Sequence, residues 1–396
     1  MNHHTTASLK AYFSHLCRVT YIEREMGPEL LKDTPPRAVV VYGPRRIGKS
    51  TLLEHMIGRE PRRWFNGDLP GTAAELDFKT QGDVLNALLQ DQTIVIDEAH
   101  KIPNIGNIVK MLVDANEKLD IPRKLFITSS SAFYLTAIKE SALGRVVSRQ
   151  MWPFSLKELA TKFGWGRVNE SIDHRIVYGM MPHVYLNPEQ ARAYLLDYCE
   201  GYLLRDFFEE NVIRYPAKLK LLLKLLAHYV GSEISFDSLA REVGLNRMTV
   251  EDYVDRLQKA SLIRVCSSFS RNLANELRKG KKIYFFDNGI RNALINNFSP
   301  LNNREDAGAL WENFFYMERV KVHDTQRDFK DIYFWRTSGS LPREIDFVEV
   351  VDDQIEAFEC KLSPNSKSKH IKHFLDVYPN ATVKTVSPKD CYEIFK

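Results

Sequence analysis

The residues Gly43-Pro44-Arg45-Arg46-Ile47-Gly48-Lys49-Ser50 combine two glycines, a lysine and a hydroxyl at the spacing G-x-x-x-x-G-K-[ST]. Glycines let a chain turn tightly and aim backbone N–H groups at phosphate oxygens, the lysine reaches the β and γ oxygens, and the serine hydroxyl binds Mg²⁺. Gly43, Pro44, Arg45, Arg46, Ile47, Gly48, Lys49, Ser50 and Thr51 are therefore the expected nucleotide-binding residues. Arg45 and Arg46 add two cations that can also pair with acids on the sheet edge or on an adjacent subunit. An acidic pair, Asp97-Glu98, ends the apolar run Thr93-Ile94-Val95-Ile96. Asp97 there can hold Mg²⁺ directly or through water, and Glu98 can orient or deprotonate an attacking water; the alternative is a strand ending in a solvated acidic turn. The run Lys124 to Thr128 leads into Ser129-Ser130-Ser131, which places hydroxyls where a γ-phosphate sensor belongs, although a serine cluster alone also describes a loop. Arg145, in Leu143-Gly144-Arg145-Val146, can reach a neighbouring subunit's nucleotide or form a surface ion pair.

A second constellation lies near the C-terminus. Glu359 and Lys361 are two residues apart in an extended run, so they share one face of a strand. Asp346 on the preceding strand and Glu312 on a helix would bring three carboxylates and the lysine together. Such a set, with Asp346 and Glu359 as metal ligands, can bind one or two Mg²⁺ or Mn²⁺ ions, activate water and stabilise a phosphodiester transition state. Alternating charges on an exposed strand face are the competing explanation.

These groups need particular elements to position them. The loop at Gly43 requires a strand before it and a helix after it, and Ala38 to Tyr42 and Thr51 to Ile57 provide both. Arg63 to Asp68 reads as a short strand and turn of the same parallel sheet, with Asp68 either a polar group near the nucleotide or a turn former. Farther along, Phe236 to Val243 and Arg247 to Leu257 flank Gly244 as a helix-turn-helix, with Val250, Tyr253, Val254 and Leu257 as its core face. Arg247 and Thr249 lie near the start of the second helix. Leu262 to Val265 and Lys282 to Phe286 then form two strands of a wing carrying Arg271, Arg278, Lys279, Lys281 and Lys282. A basic wing suits phosphate contact with DNA, whereas winged helices also serve as lids and protein-contact modules. The predicted division is a helical lead-in over 1–36, an α/β P-loop domain with a parallel sheet over 37–160, a helical lid or connector over 161–215, a winged-helix domain over 216–300 and an α/β nuclease-like domain over 301–396.

A length of 396 residues calls for two or three domains, and a formal net charge of +4 permits nucleic-acid binding without demanding it. The five cysteines are scattered without C-x-x-C spacing, which argues against a disulfide framework or zinc site and fits a reducing cytoplasm. No N-terminal apolar segment before a cleavage-like site and no membrane-length apolar run occur, so the expectation is a cytoplasmic, unexported protein with no membrane partner.

The order GPRRIGKSTLL, IVIDEAHKIP, ITSSSAFYL and SALGRVVSRQMWPFSLKEL resembles a large group of bacterial and archaeal AAA+ ATPases with a C-terminal winged-helix and restriction-endonuclease-like domain. The resemblance implies ATP and Mg²⁺ at Lys49 and Ser50, a Walker B pair at Asp97 and Glu98, a sensor hydroxyl at Thr128 or Ser130, and an arginine finger at Arg145. Ser129 stands where the resembled proteins usually have glycine, which leaves the sensor identity open. For Arg205, sensor 2 and a helix-surface ion pair are alternatives. The nuclease-like pattern, D then E-x-K, carries over to Glu312, Asp346, Glu359 and Lys361, as an active metal site or as a fold retained without cleavage. Glu344-Ile345 replaces the proline frequent before the aspartate. The implied function is an ATP-hydrolysing motor or remodeller, a homo-oligomeric ring of hexamer type, on structured, branched or single-stranded DNA, as a translocase or helicase. A regulatory nucleotide switch that binds a partner protein and an ATP-licensed nuclease are the alternatives.

Overall fold

The computed structural model describes residues 21–130, 138, 142–203, 213–270, 280–337, 341–363 and 370–396. The chain divides into two compact units, one formed by residues 23–152 with 259–261 and the other containing 153–258 and 262–396. The connector, winged-helix and nuclease-like segments, expected as three domains, thus pack within a single unit.

In the first unit five parallel strands are ordered β2-β3-β4-β1-β5, with β1 Ala38–Tyr42, β2 Arg62–Asn66, β3 Thr93–Asp97, β4 Lys124–Ser129 and β5 Val146–Gln150. β1, β3 and β4 are almost continuously apolar because both faces of the sheet are covered. Val40, Ile94, Ile96, Leu125 and Ile127 lie in one core with Ile105, Ile108, Val109, Leu112 and Val113. The last five belong to helix Ile105–Asn116, whose i, i+3, i+4 spacing turns one apolar stripe inward. Parallel pairing sets Tyr42 beside Ser129 and Ile96 beside Ile127, which brings the carboxyl ends of β1, β3 and β4 to one sheet edge. Ligands of open parallel sheets bind along that edge.

The second unit contains an antiparallel sheet ordered β6-β8-β7, with β6 Glu233–Ile234, β7 Ile263–Ser267 and β8 Lys281–Phe285. Helices Phe236–Val243 and Arg247–Lys259 connect β6 to β7, and the second buries Val250, Tyr253, Val254 and Leu257 as expected. A mixed sheet is ordered β12-β11-β10-β9, with β9 Asp331–Arg336, β10 Glu344–Val351, β11 Gln354–Cys360 and β12 Thr382–Val386. The 20-residue helix Ala307–Gln326 packs aromatic side chains against this sheet, with Phe315 ring centroids 5.9 Å from Phe347 and 5.3 Å from Phe358. The same helix is tied to β8, since Phe285 N donates to Asn313 Oδ1 at 2.7 Å and Asn313 Nδ2 donates to Phe285 O at 2.9 Å. These bonds cross the expected boundary at residue 300. Among the described residues no helix is long and apolar enough to cross a membrane.

Candidate active site

Helix Lys49–Ile57 begins directly after the Gly43–Gly48 loop, with Gly48 at φ 92° as its N-terminal cap. A left-handed cap of this kind is open to glycine without steric cost. At Gly43, φ is 149° and a Cβ would collide with the Met151 carbonyl oxygen and approach Ile47 Cδ1 to 2.8 Å. Both glycines are therefore required by geometry. Lys49 is buried and donates from Nζ to Gly43 O at 2.9 Å and Pro44 O at 3.1 Å, which holds its ammonium inside the loop. Loop N–H groups, a helix N-terminus and an enclosed ammonium together make a cradle for phosphate.

The acidic end of β3 meets this cradle. Ser50 donates from Oγ to both Asp97 oxygens, at 3.0 and 2.9 Å, and Thr128 donates to Asp97 Oδ1. Thr128 Oγ1 also accepts from Glu98 N at 2.9 Å. A serine hydroxyl beside a carboxylate is the hard oxygen donor set that suits Mg²⁺, so the residues present fit both nucleotide and metal. Glu98 adopts φ 48° and ψ 42°, a left-handed conformation costly for a side chain of this size and concentrated at functional sites. Its Oε2 is buried without a hydrogen-bond partner. Burial raises the Glu98 pKa above the usual glutamate range, Lys49 and Arg45 counteract, and Asp97 and Asp68 add to the rise. His100 Nδ1 lies 3.6 Å from Glu98 Oε2, but burial, then Arg45, Lys101 and Lys49, lower the imidazole to about 3. His100 is therefore neutral at physiological pH, and its contact with Glu98 is not an ion pair. A buried carboxylate with one unsatisfied oxygen is suited to accept a proton from water.

The structure also distinguishes the sensor candidates. Thr128 bonds both Asp97 and Glu98, whereas Ser130 Oγ lies 3.5 Å from His100 Nε2. Asp68 is engaged by Lys101, whose hydrogen bond lowers its pKa against the opposing effect of burial. Arg145 precedes β5 at the amino-terminal end of the sheet, where its carbonyl accepts from Ala38 N at 3.0 Å and its guanidinium pairs with Asp114. That is the opposite end of β1 from the phosphate loop. Arg205, Ser131, Arg271, Arg278 and Lys279 lie outside the described residues.

In the second unit, Glu312, Asp346, Glu359 and Lys361 fall on helix Ala307–Gln326, β10, β11 and the residue after β11. Cys360 N donates to Asp346 Oδ2 at 2.7 Å and Lys361 Nζ donates to Glu359 Oε1 at 2.7 Å. Lys282, expected on a DNA-facing wing, is instead 1% exposed and bonded to Glu312 and Glu344, because the strand turns it toward the long helix. A side chain buried in this way does not reach a phosphate backbone. Lys281 donates to Ser267 Oγ at 2.9 Å, Arg247 is exposed but paired with Asp237 and Glu251, and Thr249 N donates to Asn246 Oδ1 at 2.8 Å. Glu344 and Tyr284, which joins Glu312, were not singled out by the sequence pattern. Tyr284 stands two residues from Lys282 on β8 and so shares its strand face, whereas Glu344 had no signal in the sequence.

Residues 35–160 match the family model of an AAA domain. Residues 169–301 and 307–392 match two domains of unknown function, DUF8612 and DUF4143. Uncharacterized proteins of Mycobacterium tuberculosis and Mycobacterium bovis are each 27% identical over 349 residues, covering 86% of this chain and 74% of theirs. Among solved structures, a Walker-type ATPase of Pyrococcus abyssi is 15% identical with a TM-score of 0.45, covering 70% of this chain and 97% of its own. The Aeropyrum pernix Orc1 protein in complex with DNA is 16% identical with a TM-score of 0.31, covering 73% and 92%. The AAA assignment rests on the matched segment and on the loop and sheet described above, and the AAA domain is a P-loop nucleotide-binding module with the residues of an ATPase.

Proposed function

We propose that the chain hydrolyses ATP at the Gly43–Thr51 loop and works as a homo-oligomeric ring, of hexamer type, on DNA. The observation that carries hydrolysis is the convergence of Ser50, Thr128 and Asp97 beside Glu98, whose Oε2 is buried and unpartnered. When bound, ATP supplies the phosphoanhydride that water cleaves, and Mg²⁺ would offset the negative charge on its phosphate oxygens. Lys49 and the loop N–H groups would hold the phosphates, and Ser50 and Asp97 would hold the metal. Glu98 orients the water and takes its proton, while Thr128 fixes Asp97 and the Glu98 backbone in register.

A ring is supported by Arg145 at the sheet end away from its own loop, which we read as the finger that serves a neighbouring subunit. In that role it exchanges Asp114 for the neighbour's phosphate. DNA is supported by the order of helix, strand, two helices and two strands over Pro216–Phe285, the order of a winged helix, and by exposed Arg247 near the start of the second paired helix. Structured, branched or single-stranded DNA suits such a module, as translocase or helicase. The second reading, a nucleotide switch that binds a partner protein, is favoured by the acids Asp237 and Glu251 that pair with Arg247. Cleavage is not part of the reading, because among the described residues no three His, Cys, Asp or Glu side chains form a group able to hold a metal.

The test is phosphate release by the full chain with no DNA and with duplex, single-stranded and branched DNA, with oligomer size measured alongside. The proposal expects stimulation by at least one DNA form, a ring-sized assembly with ATP, and a loss of roughly 10³-fold or more in Arg145→Ala with nucleotide binding kept. A rate indifferent to every DNA, in a monomer, would leave the partner-protein switch.

A further inference from the structure

Residues 23–33 precede the matched AAA segment, which begins at residue 35, and carry none of the phosphate, metal or water-orienting groups of the site. Arg24 is nevertheless only 7% exposed and reaches into the phosphate loop: Nη1 donates to Ile47 O at 3.1 Å and Nη2 donates to Trp152 O. Ile47 itself is fully buried. Trp152 follows Met151, whose N–H donates to Tyr42 O at 2.7 Å and whose carbonyl oxygen fills the space where Gly43 would carry a Cβ. One guanidinium thus joins the last turn of the loop to the chain that covers its first glycine.

The residues after Arg24 are fixed to the same surroundings. Gly27 N donates to Arg24 O at 3.0 Å and opens the helix Gly27–Asp33, whose Leu30 is fully buried. A Cβ on Gly27 would stand 3.7 Å from Leu52 Cδ1 and Met56 Cγ, so this turn lies against the helix Lys49–Ile57 that completes the cradle. At the other end Asp33 accepts from Arg149 Nε of β5 at 2.7 Å, with both side chains largely buried. Arg24 is thus presented by an anchored segment.

A loop peptide helps to bind phosphate when its N–H faces the ligand; turned over, it presents a carbonyl oxygen that repels the anion. Glycine tolerates either sign of φ, so Gly48 makes such a flip inexpensive for the Ile47–Gly48 peptide. In a planar trans peptide the C=O and N–H point in opposite directions. Because Arg24 holds the Ile47 carbonyl, the Gly48 N–H is turned the other way. A guanidinium suits this task, since its rigid fork offers two carbonyls separate donors in fixed geometry. We infer that Arg24 is a positioning residue of the nucleotide site: it locks the Ile47–Gly48 peptide in the phosphate-binding orientation and makes the lead-in segment part of the ATP-binding module. The role rests on the reading of Gly43–Thr51 as the ATP site.

The test is binding of ADP and of a slowly hydrolysed ATP analogue, each with Mg²⁺, to the full chain by calorimetry, with KM and kcat for ATP and the melting temperature without nucleotide measured alongside. Arg24→Ala should weaken binding of both nucleotides roughly 10- to 100-fold, the size of lost hydrogen bonds to a charged group. KM should rise in parallel, while kcat at saturating ATP stays within about threefold of wild type. Arg24→Lys keeps a cation that can still donate to Ile47 O, and its affinity should lie between those of Arg24→Ala and wild type. A residue that only braced the fold would lower the melting temperature and leave the affinity of the folded chain unchanged. That result in Arg24→Ala, or in Arg24→Lys where Arg24→Ala does not fold, overturns the role. Lys49→Ala separates it from the reading beneath. If Lys49→Ala binds both nucleotides as tightly as wild type, the loop is not the ATP site and both fall; if Lys49→Ala loses binding while Arg24→Ala keeps wild-type affinity, the Arg24 role alone falls.

Discussion

The AAA domain and the C-terminal unit both collect carboxylates beside buried lysines, and they differ in what the lysine holds. Lys49 donates to the backbone carbonyls of Gly43 and Pro44, which leaves Asp97 to Ser50 and Thr128 and leaves Glu98 Oε2 without a partner. Lys282 donates directly to Glu312 and Glu344, and Lys361 to Glu359. Similar residue types therefore give different properties. Glu312, Glu344 and Glu359 each accept from a lysine, although Glu359 Oε2, like Glu98 Oε2, is buried without a hydrogen-bond partner. Residue composition at a site does not decide its chemistry; the destination of each lysine nitrogen does.

That contrast predicts that carboxylate substitutions in the AAA domain cost turnover and those in the C-terminal unit cost stability. Glu98→Gln should slow phosphate release by roughly 10²–10⁴-fold while nucleotide binding persists, and Glu359→Gln should leave the rate near wild type. Because Glu98 acts ionised and its pKa is raised by burial, the rate should fall as pH drops through that raised value, above the usual glutamate range. A pH profile of turnover locates this acid limb, and a limb at ordinary glutamate pH would weaken the contrast.

A smaller effect is expected at Glu349. Burial pushes this carboxyl up, but the Arg319 hydrogen bonds and the His323 ring, with Nε2 3.1 Å from Oε1, outweigh it and hold it at about 2, against an ordinary value of 4.5. The folded state thus favours the ionised form. Its stabilisation is complete above the unfolded pKa and fades as pH falls from 4.5 toward about 2. Denaturant unfolding across that window should show the loss in wild type, on the order of 3 kcal/mol, and a flatter profile in Glu349→Gln.

The smallest change is at Thr128→Val, which removes the hydroxyl that donates to Asp97 and accepts from Glu98 N. Leaving those groups unpaired should cost about 1–3 kcal/mol by chemical denaturation. A much larger loss would mean that the AAA site, like the C-terminal one, is chiefly structural.

The legibility of these sites follows from how far apart in sequence their partners lie. The phosphate loop is a local object: its turn, lysine and hydroxyl sit within eight consecutive positions of the sequence, and β1 and the helix flank it immediately. Asp97 and Glu98 were legible because a short, fully buried strand ends at them. Lys282 was not, since its carboxylates are 30 and 62 residues away and a local run of lysines looks like a solvated wing. The alternation of Lys282 with Tyr284 gave only the face, not what covers it. Likewise Asp114, which pairs with Arg145, lies 31 residues earlier on another element, so no spacing rule exposed it.

The most direct measurement is the number of Mn²⁺ ions bound per chain, by electron paramagnetic resonance with a slowly hydrolysed ATP analogue. The account predicts one tight, nucleotide-dependent ion, lost in Asp97→Asn and retained in Asp346→Asn. A second tight ion in wild type that disappears with Asp346→Asn would contradict it.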